Sequence, residues 1–260
     1  PAPAPGPGAA ARRWRRTAAG GFAVAAAAMV ATPLLPKGGR ARQVLADVTV
    51  AGLATATFAT VAERRGPARA AATLATVSGI GLAAEHIGTT TGVPFGRYGY
   101  TGALRPAVGP SKVPAVVPLA WFAMGVPSLA VGRGRIVASA LALTAWDVFL
   151  DPQMTGEGYW RWRRTGRYRG IPLSNYLGWF AVGCVVAAAA RSTLGRPERA
   201  EDGSASATSE DPTLVGIYGF MAVMSTLGFA AFFGDPLVAA AGGLAMGGSL
   251  AWWWRGRSRG

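Results

Sequence analysis

Residues 136–154 read "IVASALALTAWDVFLDPQM". The segment is greasy through Ala145, then places Asp147 and Asp151 four residues apart, on one face if it is a helix. A carboxylate in or beside hydrocarbon is expensive, and two on one face also repel each other. Either the segment is no membrane helix, or the acids are there to be used.

The rest of the chain favours the second reading. Of 260 residues, 51% are hydrophobic and 15% charged, with a mean hydropathy of +0.29. A soluble domain carries about 25% charge. Windows of about 20 apolar residues, the length that spans about 30 Å of hydrocarbon, recur at 18–36, 44–62, 68–87, 113–131, 136–151, 174–190, 213–233 and 236–254. The expectation is an all-α, polytopic membrane bundle of about eight transmembrane helices. The short fifth window and the bare "GDP" (234–236) between the last two keep seven and nine open. Ala- and Gly-rich spans favour close packing, Gly243 and Gly247 forming one small-xxx-small spacing.

The segments between divide the chain. Residues 1–16 read as a disordered basic tail and 17–195 as the membrane domain carrying the site. A polar, flexible loop follows at 196–212, then a C-terminal transmembrane pair at 213–254 and a basic tail at 255–260. The basic-then-apolar start has the look of a signal peptide, yet "AAGGFAVAAAAMVATPLLP" (18–36) is long enough to stay as a first span. The net charge of +14 comes from clusters between and beyond the spans, at 12–16, 63–69, 161–169 and 255–259. Headgroup contact and control of topology account for them better than nucleic acid, for which no fold signature is present. The single cysteine, Cys184, lies in "AVGCVVAAAA" and reads as a small packing residue.

With eight spans, parity gathers the unusual residues. Spans three and five end on the face where span six begins. Glu85 and His86 end the third, Asp147 and Asp151 the fifth, and Asn175 opens the sixth. The connections on that face, 89–112 and 152–172, are long and aromatic, whereas those opposite are plainer. A cytoplasmic N-terminus would put 15 Lys and Arg on its own face against 11 opposite, a weak lean toward that orientation.

Carboxyls gathered at one depth can hold one protonated acid beside one charged base, which suits general acid–base chemistry. Trp146, Tyr98, Tyr100, Phe95, Tyr159, Trp160 and Trp162 could line an apolar cleft and face a transient cation. Structural alternatives stand beside each reading. Asp151-Pro152 is also a helix stop, and Asp147 could pair with Arg97, Arg161 or Arg163. Glu85 could pair with an arginine, His86 could be an ordinary interfacial histidine, and the aromatic loops could be a membrane belt. No multi-histidine, Gly-rich phosphate-binding or Ser/His/Asp arrangement can be built, and no metal site is expected.

Four stretches carry a resemblance: "EHIGTTTGVPFGRYGYTGAL" (85–104), "VPLAWFAMG" (117–125), "AWDVFLDPQM" (145–154) and "YRGIPLSNYLGWF" (168–180). In this order they resemble the integral-membrane carotenoid hydratases of the γ-carotene and bisanhydrobacterioruberin type. The resemblance implies a cofactor-independent addition of water across the terminal C1=C2 bond of an acyclic carotenoid end group, the work of a hydro-lyase. The implied partners are that carotenoid, water and membrane lipid, with other membrane enzymes of the pathway as candidate neighbours.

Protonating C2 of a trisubstituted alkene leaves a tertiary cation at C1, which water captures. On this reading Asp147, the deeper acid, is the expected proton donor, with Asp151 or Glu85 ionised. Trp146, Trp160, Tyr98 and Tyr100 face substrate and cation, while Asn175 and His86 bond the water or the carboxyls. Two other classes stay open: a non-catalytic carotenoid-binding or scaffold protein, and a proton-coupled transporter, which also uses membrane carboxylates.

Overall fold

Helix α4 (Val116–Val131) is apolar on every side and is buried without interruption from Trp121 to Val131. A helix apolar all round belongs inside, and α4 is the axis of the bundle. It touches α2 (Arg40–Arg65), α3 (Pro67–Thr91), α5 (Ile136–Gly156), α6 (Leu173–Leu194), α7 (Pro212–Ala231) and α8 (Pro236–Arg257). The remaining helix, α1 (Pro7–Ala31), lies along α2. Their backbones meet at Gly21 and Gly52, where a Cβ on Gly52 would stand 2.7 Å from the Gly21 carbonyl oxygen. This computed structural model describes residues 7–195 and 211–257, so the expected loop at 196–212 falls mostly outside the described residues.

Among the described residues five helices, α1, α2, α3, α6 and α7, are long and apolar enough to cross a membrane. At 16 residues α4 is shorter than a typical span. Helix α5 has the length but carries the two aspartates. The outside of the bundle is greasy: Leu141, Leu177, Val185, Val223 and Leu244 are all more than half exposed. Hydrocarbon accommodates such a surface, whereas water opposes one of this extent.

Three expectations change. The tail expected to be disordered through residue 16 is helical from Pro7, because "AAARRWRR" is a good helix-forming run behind a proline at the helix start. Likewise α8 continues to Arg257, into the expected basic tail. The C-terminal pair is no separate unit, since α8 packs on α5 while α7 packs on α4 and α2.

The chain is also not purely helical. Strand β1 (Tyr98–Tyr100) pairs antiparallel with β4 (Trp160–Trp162), and β2 (Ala107–Val108) pairs with β3 (Val113–Pro114). In the first ladder Tyr98 faces Trp162, Gly99 faces Arg161 and Tyr100 faces Trp160. Strand side chains alternate between faces. The four aromatic rings therefore share the inner face, while Gly99 and Arg161 lie outside and exposed. The two aromatic connections thus form one cap over the ends of α3 and α5.

Candidate active site

Under that cap the three acids lie in two groups. Glu85, on the last turns of α3, is 5% exposed and accepts three bonds from neutral donors. Tyr98 Oη and Tyr100 Oη both donate to its Oε2, the latter at 2.6 Å, and Trp121 Nε1 donates to Oε1 at 3.1 Å. Burial, above all, holds the Tyr98 and Tyr100 phenols well above the usual range, with the Glu85 charge adding to it. They are therefore O–H donors throughout the neutral range.

The second group joins α5 to the start of α6. Asn175 Nδ2 spends its two hydrogens on two acids, Asp147 Oδ2 at 2.7 Å and Asp151 Oδ2. Trp160 Nε1 reaches Asp151 Oδ1 at 3.0 Å. All three residues are essentially sealed from the outside. Asp147 Oδ1 has no hydrogen-bond partner among the described residues. The arginine pairings considered for these acids do not form, since Arg97, Arg161 and Arg163 are exposed on the outer side of the cap. Among the described residues every hydrogen-bond donor to the three carboxyls is neutral, and the β1–β4 ladder supplies one or more to each group.

A cavity of about 260 Å³ runs from these acids between α2, α4, α5 and α7. Its polar end is formed by Glu85, Asp151 and Asn175, with Tyr98, Tyr100, Trp146, Trp160 and Trp162 around them. The rest of its wall is mostly apolar and rich in methionine: Met29, Met124, Met154, Met221 and Met224 all line it. Methionine is an adaptable lining for a flexible apolar guest. The lining also reaches the outer surface, because Val30, Leu227 and Phe232 belong to it and are more than half exposed.

Most of the expected site residues therefore meet in one place, with two corrections. His86 is exposed, outside the cavity wall, with Nδ1 2.6 Å from Ser111 Oγ. Adjacent helical residues do not share a face, so burying Glu85 turns His86 outward. And of the aspartate pair it is Asp151 that faces the cavity, while Asp147 does not line the space. Among the described residues no group of three or more His, Cys, Asp or Glu could hold a metal ion.

Sequence reasoning overlooked Trp121 and Trp179, whose rings stack at 4.1 Å beside Glu85. A signal was available. Both are tryptophans set in apolar helical runs, and a buried indole N–H needs an acceptor. Gly81 makes room for the first, since a Cβ there would lie 2.5 Å from the Trp121 ring.

This is an apolar helical bundle with carboxyls enclosed by aromatic rings and reached through a lipid-like slot. The chain belongs to the carotenoid biosynthesis protein family, whose sequence model matches residues 43–248. That match covers every residue lining the cavity except Met29, Val30, Thr32 and Pro33. No curated protein and no solved structure matches the chain.

Replacing Asn175 by Ala removes the one donor that Asp147 and Asp151 share. Thermal unfolding of the detergent-solubilised protein is expected to show a loss of about 1–3 kcal/mol. Unchanged stability would mean that the amide does not hold the pair.

Proposed function

We propose that this protein is a carotenoid hydratase that adds water to the terminal C1=C2 bond of an acyclic carotenoid, and that all eight helices cross the membrane with both termini in the cytoplasm. The observation that carries the activity is that Asp151 and Glu85, from different helices, share one aromatic cavity wall. Family membership supports the carotenoid part of the reading. The methionine-lined slot suits an isoprenoid chain, which would enter from lipid past Val30, Leu227 and Phe232.

Asp151 is the proton donor in this reading, because it faces the cavity and Asp147 does not. Asp147 and Asp151, tied to one amide and with no cation paired to them among the described residues, hold a single proton between them. The alkene π pair takes that proton at C2 and leaves a tertiary cation at C1. Trp146, Trp160 and Tyr100 line the cavity around it, and the attraction between a cation and a well-placed ring face is worth about 0.5–2 kcal/mol. A lone pair of water then forms the C1–O bond. The proton released from that water passes to a carboxylate, Glu85 or the emptied aspartate pair, so the enzyme ends with the protons it began with. The net change is the gain of one water, with no cofactor.

Tagging each terminus in turn and probing it from outside the cell tests the topology. Both tags are expected to be shielded until the membrane is opened, and one accessible terminus would overturn it. For the reaction, the chain and its Asp151→Asn variant are expressed in a host that accumulates an acyclic carotenoid, and the pigments are weighed by mass spectrometry. The wild type is expected to yield pigment heavier by one water per reacted end. The variant is expected to lose at least about 10²-fold in rate, the usual contribution of a general acid. Well-expressed wild type that adds no water to several acyclic carotenoids, yet retains pigment, would favour a binding or scaffold role.

A further inference from the structure

Water capture by a cation poses a supply problem. The substrate comes from lipid and the slot is apolar, yet one water must reach C1 at the right moment. A polar group that nothing above has used lies beside the cavity, where α1, α2 and the end of α5 meet.

Arg42 and Glu157 form an ion pair at 2.6 Å, with both side chains 4% exposed. Arg42 also donates to the carbonyls of Thr32, at 3.1 Å, and Leu35, at 2.7 Å, and its guanidinium lies 5.6 Å from the centre of the Phe233 ring. Thr32 and Phe233 line the cavity, and so do Asp47 and Gln153. Asp47 belongs to the same neighbourhood. With Glu157 and against Arg42, it helps burial raise the Tyr159 phenol to about 12.

Four buried atoms here have no hydrogen-bond partner among the described residues: Arg42 Nε, Asp47 Oδ1, Thr155 Oγ1 and Glu157 Oε2. Leaving a buried polar atom unpaired costs about 1–3 kcal/mol, more when it is charged. Four such costs on the elements around this end of the cavity are ones that bound water would relieve. Both donors and acceptors are present, and a buried water takes about three bonds to groups of these kinds. A hydrocarbon guest could satisfy none of them.

We propose that Arg42, Asp47, Thr155 and Glu157 form a hydrated vestibule that delivers water to the cavity, with Asp47, on the cavity wall, as the residue that positions the attacking water. The inference rests on the hydratase reading and adds a division of labour to it. Asp151 supplies the proton from one end of the cavity, and Asp47 presents the water from another. The ion pair keeps the vestibule polar while Phe233 screens it from the slot.

The two halves of the reaction separate in heavy water. Membranes containing the wild type, Asp47→Asn or Asp47→Leu are loaded with acyclic carotenoid in D2O, and both product and recovered substrate are analysed for mass. The wild type should give hydrated product carrying deuterium at C2. With Asp47→Leu, deuteration at C2 should continue while capture fails. The cation then returns a proton to a carboxylate, and the alkene is recovered carrying deuterium without added water. Asp47→Asn keeps a hydrogen-bonding side chain and should restore much of the capture. Hydration by Asp47→Leu at the wild-type rate would overturn the proposal. So would loss of hydration with no deuterium in the alkene, which would place Asp47 in protonation or in folding.

Hydroxyl-radical footprinting of the full-length protein reads the water itself, whatever the reaction. Met154, beside the vestibule, should be oxidised severalfold faster in the wild type than in Asp47→Leu, while the fully buried Met246 should not change. Equal Met154 oxidation in the two proteins would reject the vestibule even if hydration were established. A wild type that neither hydrates nor deuterates substrate but shows the Met154 difference would reject the hydratase reading and keep the water site.

Discussion

Three carboxyl groups buried among apolar helices, whose hydrogen-bond donors among the described residues are all neutral, set the terms for the rest of this structure. A cation placed beside them would have been the simple remedy, and the cap that supplies their donors carries arginines at Arg97, Arg161 and Arg163. It turns them outward and brings indoles, phenols and one amide inward instead. Neutral donors lower the cost of burial without fixing each acid as a paired anion. A proton can then be held and moved within the group, which a salt bridge would oppose.

Supplying those donors dictates the local architecture. Glu85 needs Tyr98, Tyr100 and Trp121, which come from the connection after α3 and from the central helix. Asp151 needs Trp160 from the connection after α5. Pairing β1 with β4 brings the two connections into one ladder, so the two carboxyl groups are held at a fixed offset by a shared backbone. The Trp121 indole fits only because Gly81 has no side chain at that contact.

Much of this was legible in the sequence, and its limits are physical. Apolar windows located each of the eight α-helices among the described residues, because a greasy run of that length has few alternatives. Parity then brought Glu85, Asp147, Asp151 and Asn175 to one end, and the structure puts them there. The strands were harder to see. "YGY" and "WRW" show the alternation of a strand, but three residues make no periodic signal, and their pairing spans two helices. The inward acid was also beyond reach, since Asp147 and Asp151 share a face and only the neighbours decide which meets open space. His86 was misread because it was taken together with Glu85, although adjacent helical residues diverge. The vestibule was hidden for the same reason as the ladder, since Arg42 and Glu157 are far apart in sequence and meet only in the fold.

The claim at the centre of this account is that Asp147 and Asp151 hold one proton between them in the resting protein. Infrared difference spectroscopy of the protein in lipid at neutral pH, comparing the wild type with Asp151→Asn and Asp147→Asn, measures it directly. The account predicts a carboxylic-acid C=O band in the wild type that shifts in D2O and is lost or displaced in both variants. A wild-type spectrum with only carboxylate bands, or an acid band indifferent to both substitutions, would contradict it.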